Sequence, residues 1–158
     1  MASVIDVYKP TIKRKDLEYV LGCMVKDKID NGEFAKNFEL RLKERVGVSS
    51  VIAIDSFQKT IELVFDALEI KEGDEIMLPS FAPLQYLNVI LRRKASPVFY
   101  ELENDYYEPS ISNIRELKTS KTKLLILYYY FGYTYDPTAY NEIAPFIGSP
   151  RFKHSFTK

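Results

Sequence analysis

Apolar positions recur at two spacings along the chain, and the spacing alternates. Leu17, Val20, Leu21 and Met24 stand three and four residues apart, which predicts an amphipathic helix over Lys13–Lys26. Phe34, Phe38 and Leu42 predict a second helix, closed by Gly47. Val51–Ile54 is short, apolar and partly β-branched, and predicts a buried strand. Ile61, Val64, Phe65 and Leu68 return to helical spacing. After the Gly73-Asp74 turn come a strand at Glu75–Leu78, a helix at Leu84–Leu91 and a strand at Pro97–Leu102. Ile111, Ile114 and Leu117 mark a further helix behind Pro109-Ser110. Leu124–Tyr130 is the strongest strand signal. Asp136-Pro137, a capping residue followed by proline, predicts a last helix through Ala144.

This alternation predicts an α/β fold, mainly a parallel sheet with helices on both faces. Each crossover contains a helix, as parallel pairing requires. Ligands of such sheets bind beyond the carboxyl ends of the strands. The turns of interest are therefore 55–59, 79–83, 101–108 and 130–136.

Length and composition narrow the function classes. The 158 residues suit a single domain, and 46% hydrophobic with 28% charged residues is a globular balance. Lys plus Arg and Asp plus Glu both number 22, so no basic footprint for nucleic acid exists. Cys23 is the only cysteine and His154 the only histidine, which excludes a zinc site built on thiolates and a His-rich metal centre. The longest uncharged stretches, Pro79–Leu91 and Leu124–Tyr135, are shorter than the roughly 20 apolar residues of a membrane-spanning helix. With no apolar leader in Met1–Lys15, the expected location is cytoplasmic. Arg92-Arg93-Lys94 reads as a solvated helix end, and Glu101, Glu103, Asp105 and Glu108 form an acidic loop at a strand's carboxyl end.

Several ordered segments carry a resemblance. "ALEIKEGDEIMLPSF" (Ala67–Phe81) resembles "ALGIGPGDEVITPSF" of the DegT/StrS-type sugar aminotransferases. "ASPVFYELENDYYEPS" (Ala95–Ser110) resembles their "ATPVFVDIDPDTYNID", and "TSKTKLLILYYYFG" (Thr119–Gly132) their "TPRTKAIIPVHLYG". "IDNGEFAKNFELRLKERVGV" (Ile29–Val48) resembles the stretch before their first strand. The similarity runs over roughly residues 5–145, leaving 146–158 as an unrelated tail.

The resemblance implies a partial aspartate-aminotransferase-type large domain and pyridoxal phosphate (PLP) as cofactor. The implied parent reaction moves an amino group from glutamate to a nucleotide-linked keto sugar for surface polysaccharide synthesis. It also implies a homodimer, and that the acidic loop of Glu101, Glu103, Asp105 and Glu108 is surface without metal. The family's phosphate turn, "SGT", corresponds to Ser56, Phe57 and Gln58, so these are the candidate cofactor-binding positions in degenerate form. Pro83 stands where the family has an aromatic that stacks on the cofactor ring, and Phe81 is expected to pack against the sheet. No residue matches the pyridinium aspartate. "SFTK" at Ser155–Lys158 is too short a match to make Lys158 the Schiff-base lysine, so no catalytic residue is assigned. The expectation is a truncated or degenerate family member, inactive by itself. The alternative is a non-catalytic module that pairs with itself or with a full-length relative.

Overall fold

The computed structural model describes residues 10–28, 32–103 and 107–147. His154 and Ser155–Lys158 lie outside the described residues, as does Asp105. The chain forms two compact units, Met1–Ala53 and Ile54–Lys158.

The first unit holds helices α1 (Arg14–Val25) and α2 (Glu33–Val46), matching the two predicted periods. At the start of α1 the Lys13 N–H donates to the Asp16 carboxylate at 2.8 Å. Gly47 ends α2 in the left-handed region at φ 72°, a conformation that favours glycine. Tyr19 and Phe34 meet edge to face at 6.0 Å. Neither helix contains a buried residue.

The predicted strand at Val51–Ile54 does not form. Ile52 is 69% exposed, and the Ala53 N–H donates to the Glu39 carboxylate at 2.8 Å instead of joining a ladder. A β-branched run becomes a strand only where a neighbour accepts its N–H groups, and here a side chain does.

The second unit holds α3 (Phe57–Ala67), β1 (Glu75–Pro79), α4 (Leu84–Arg92), β2 (Ser96–Tyr100), β3 (Leu102–Glu103), β4 (Glu108–Pro109), α5 (Ile111–Leu117), β5 (Thr122–Ile126) and β6 (Phe146–Ile147). The main sheet has the order β2-β1-β5-β6, and all three pairings are parallel. The predicted strand Pro97–Leu102 is divided, because Leu102 leaves the sheet to pair antiparallel with Pro109 in the small β3-β4 ribbon. The helix predicted from Asp136 is one 3₁₀ turn, Pro137–Tyr140. Asp136 caps it as expected, its carboxylate accepting from the Thr138 N–H at 3.0 Å. The turn ends at Tyr140, and Pro145 disfavours helical geometry at Ala144, the end of the predicted helix. Phe146–Ile147, to which the sequence reading gave no element, pairs with Leu125–Ile126. That pairing makes β5 an interior strand.

Side-chain alternation along the strands builds two cores, as the period of a strand dictates. Ile76, Leu78, Leu124 and Ile126 face one side and bury Ile61 and Phe65 of α3 with Tyr86, Val89 and Ile90 of α4. Met77, Leu125 and Leu127 face the other and bury Ile114 of α5 with Tyr140 and Ile143. Helices thus cover both faces.

Helices α3 and α4 end alike. Glu69 and Lys94 take left-handed φ values of 52° and 54°. The following N–H groups, of Ile70 and Ala95, reach back to the Phe65 and Ile90 carbonyls at 2.9 and 3.1 Å. These closures drop the chain directly toward the next strand.

The strand order fixes where a ligand crevice lies. From β1 the chain passes to β2 on one side, then returns to β5 on the other side of β1. The carboxyl ends of β1 and β5 therefore flank the topological switch point.

Candidate functional site

Helix α3 starts at this end of the sheet. Phe57, its first residue, meets Tyr86 of the first turn of α4 edge to face, with centroids 5.3 Å apart. Further along the same helices Arg92 pairs with Glu62 at 3.0 Å and Arg93 with Asp66 at 2.5 Å. The two helices therefore run side by side in the same direction. Lys94 pairs with Glu72 at 3.5 Å. Each cation of the Arg92–Lys94 cluster thus has an acidic neighbour, and exposed pairs of this kind contribute about 0–1 kcal/mol apiece.

Ser56 is the N-cap of α3. Its hydroxyl oxygen accepts from the Lys59 N–H at 3.4 Å, which leaves its own proton for another acceptor. The N–H groups of Phe57 and Gln58 have no carbonyl one turn below to bond, and the helix dipole makes this end positive. An anion is therefore favoured here. The surrounding side chains temper that preference. Gln58 is turned up the helix, donating to the Glu62 carboxylate at 3.1 Å. Lys59 is held by Asp55, its Nζ 3.1 Å from both carboxylate oxygens. The bulk of Phe57 is drawn to the α4 side by its contact with Tyr86.

Beyond β1 and β5 lies an aromatic cluster. Phe81, expected to pack against the sheet, is instead 62% exposed and stacks on Tyr130 at 5.5 Å with planes 20° apart. The reason is the turn after β1, where the Ala82 N–H returns to the Pro79 carbonyl at 3.0 Å and lifts Phe81 off the strand line. Tyr130 also touches Tyr107 at 5.3 Å and Tyr128 at 4.9 Å. Phe131 and Tyr107, in mutual contact at 5.6 Å, both have left-handed backbones with φ of 51° and 55°. Such conformations cost energy in non-glycine residues. Pro83 stands at the N-cap of α4, as its sequence position suggests.

The tyrosine hydroxyls of this end are mostly satisfied. Tyr100 donates to the Ile126 carbonyl at 2.7 Å and Tyr140 to the Pro109 carbonyl at 2.8 Å. Tyr135 reaches the Tyr128 carbonyl at 3.4 Å. The Tyr130 hydroxyl is buried and has no hydrogen-bond partner among the described residues. Burial first, then the neighbouring Tyr128, pushes Tyr86 and Tyr130 up to about 12. Tyr100, Tyr135 and Tyr140 are pushed higher still, again chiefly by burial. All five hydroxyls stay protonated at neutral pH and can donate.

In the acidic loop, Glu103 accepts from the Ser110 hydroxyl at 2.6 Å, an interaction that serves the β4–α5 junction. Among the described residues no helix is long and apolar enough to cross a membrane.

The structure thus places Ser56, Phe57 and Gln58 together at one helix end, where the sequence located them. The Phe81–Tyr130 stack was missed, although "YYYFG" after a buried strand was a signal for it.

Comparison with known proteins accords with this geometry. The chain is 29% identical to a GDP-perosamine synthase of Escherichia coli O157:H7 over 141 residues, 89% of this chain and 39% of that protein. It therefore spans about two fifths of that curated relative's length. Among solved structures, the aminotransferase TlmJ from Streptoalloteichus hindustanus superposes with a TM-score of 0.86 at 26% identity, over 92% of this chain and 42% of that one. The sugar aminotransferase Spr1654 from Streptococcus pneumoniae in its PLP form shares the fold with a TM-score of 0.83 at 23% identity, over 93% and 39% of the respective chains. The family model for DegT/DnrJ/EryC1/StrS aminotransferases matches residues 10–148. The chain belongs to the DegT/DnrJ/EryC1/StrS aminotransferase family.

Proposed function

We propose that this chain is a degenerate member of the family whose parent reaction moves an amino group from glutamate to a nucleotide-linked keto sugar, in the cytoplasm, with PLP as cofactor. The observation that carries the reading is the Ser56-capped end of α3 at the carboxyl edge of a parallel sheet, in a chain of this family. When bound, PLP would supply the electron sink for amino transfer. Ser56 and the first-turn N–H groups of α3 would hold its phosphate, with Gln58 and Phe57 as the altered positions of that turn. The exposed ring of Phe81 fits a flat partner, whereas Pro83 offers none.

These residues do not suit the covalent half of the chemistry. Lys59, the lysine of the turn, is engaged by Asp55. We therefore expect the 158 residues by themselves to be inactive. Incubated with PLP, glutamate and a nucleotide-linked keto sugar, they should form 2-oxoglutarate no faster than free cofactor does. Turnover that saturates with the sugar and disappears on Ser56→Ala with Lys59→Met would contradict this.

A second reading is favoured by a specific observation. Leu17, Val20, Leu21 and Met24 of α1 and Phe34 and Phe38 of α2 are all more than half exposed. Apolar helix faces of this kind mark interaction surfaces. This suits a module that pairs with itself or with a full-length relative. Gel filtration and light scattering with and without a full-length relative separate the readings, because a chain that stays a monodisperse monomer at high concentration in both cases removes the pairing.

A further inference from the structure

We infer that the turn at Phe131-Gly132 is a reversible latch: closed, it buries the Tyr130 ring at the carboxyl end of β5, and open, it releases that ring to water. The inference rests on the amino-transfer reading only for what the latch gates, the mouth between β1 and β5.

Three costs fall on this one turn. The first is backbone conformation. The Tyr133 N–H closes on the Tyr130 carbonyl at 2.8 Å, with Phe131 at φ 51° and Gly132 at φ 86° between them. Positive φ at both central residues makes a type I′ turn, whose first central position is ordinarily Asn, Asp or Gly. A phenylalanine there is strained. The second is an unmet bond. Tyr130 is 4% exposed, and its hydroxyl has no partner among the described residues. Burial withholds the water that would otherwise bond it. The third is the seat of the turn. Phe131 rests on Tyr107 with centroids 5.6 Å apart, and Tyr107 is itself left-handed at φ 55°.

Little burial holds the closed form against these costs, because Phe131 stays 76% exposed. What opposes opening is ring contact: Tyr130 meets Tyr128 at 4.9 Å, Tyr107 at 5.3 Å and Phe81 at 5.5 Å. Release of the turn relaxes Phe131 and hydrates the Tyr130 hydroxyl at once. Neighbouring tyrosines have no such conflict. The Tyr100 and Tyr140 hydroxyls donate to carbonyls at 2.7 and 2.8 Å, so those rings stay in the core. Opening is therefore local, at the low-stability end of the fold. Its place gives it a consequence. Tyr130 follows β5 and its stacking neighbour Phe81 follows β1, the strands that flank the switch point of the sheet. A ligand that needs this mouth binds the open form and shifts the population toward it.

The test uses the full chain without cofactor and has two readings. Hydroxyl-radical oxidation, mapped residue by residue by mass spectrometry, reads exposure of the Tyr130 ring. Native-state hydrogen exchange of the Tyr133 amide reads the turn. The buried Tyr100 ring and the Leu125 amide, which donates to the Pro145 carbonyl at 2.9 Å, report the core. Tyr130 should oxidise at a rate between those of Tyr100 and the half-exposed Tyr133. Exchange at Tyr133 should stay flat at urea concentrations where exchange at Leu125 rises. Gly132→Ala keeps every ring but puts a side chain on a left-handed backbone. It should raise both readings by about 5- to 30-fold. Tyr130→Phe removes the unmet hydroxyl and should slow exchange at Tyr133 by about 5-fold or more. The latch is overturned if Tyr130 is as protected as Tyr100 in both the parent and Gly132→Ala, or as reactive as Tyr133 in the parent. It is also overturned if Gly132→Ala speeds exchange at Tyr133 without uncovering Tyr130, if that exchange follows urea together with Leu125, or if Tyr130→Phe leaves it unchanged. The amino-transfer reading is decided separately by turnover, whatever the latch does.

Discussion

Raising the pH from about 10 to about 11 should destabilise the fold by about 5 kcal/mol, a large part of the stability of an ordinary domain. The cause is the set of Tyr86, Tyr100, Tyr130, Tyr135 and Tyr140, whose hydroxyls burial pushes to about 12 or higher. In the unfolded chain they titrate near 10. In this window the folded state therefore binds more protons than the unfolded state, and stability falls as pH rises. Each group retained in its neutral form contributes about 1.4 kcal/mol per pH unit above its unfolded value. Below about pH 9 these groups are neutral in both states and have no effect. Urea unfolding at stepped pH, read by circular dichroism alongside tyrosinate absorbance, gives the slope. Ionisation of all twelve tyrosines by about pH 11 without unfolding would show that the five rings are solvated.

Leu125→Ala is expected to cost about 2–5 kcal/mol. Leu125 is wholly buried on β5, with β1 on one side and β6 on the other, and it packs in the core with Ile114 and Tyr140. Removing its side chain leaves a cavity that rigid strands on both flanks cannot close. Phe99→Ala on the outer strand β2 should cost far less, because Phe99 is already 48% exposed. Denaturant midpoints at unchanged slope measure both. A Leu125→Ala cost under about 1 kcal/mol would mean that β5 is a loosely covered edge and that β6 does not pair with it.

The sequence made the second unit legible wherever local and tertiary preferences agree. Ile61 and Phe65 repeat at helical spacing and face the sheet, and Glu75–Leu78 is an apolar run with a neighbour on each side. The reading failed where a partner decides the outcome. Val51–Ile54 has strand composition but gives a backbone N–H to Glu39. Phe146–Ile147 is too short to read as a strand until β5 lies alongside it. The Asp136 start signal was correctly placed, but the helix behind it stops after one 3₁₀ turn. At the site, Ser56 was legible because capping is local chemistry. The Phe81–Tyr130 stack joins residues from two strand ends, and only the sheet order brings them together.

We propose that these residues keep the family's α/β frame with an altered phosphate turn and hold no lysine poised for covalent cofactor chemistry. Borohydride reduction of a mixture with PLP, followed by peptide mapping, tests this most directly. The predicted result is weak label scattered over several exposed lysines, with Lys59 no more reactive than the others because Asp55 engages it. The contradicting result is stoichiometric label on one lysine, Lys59 or Lys158 above all, that vanishes when that residue alone is replaced.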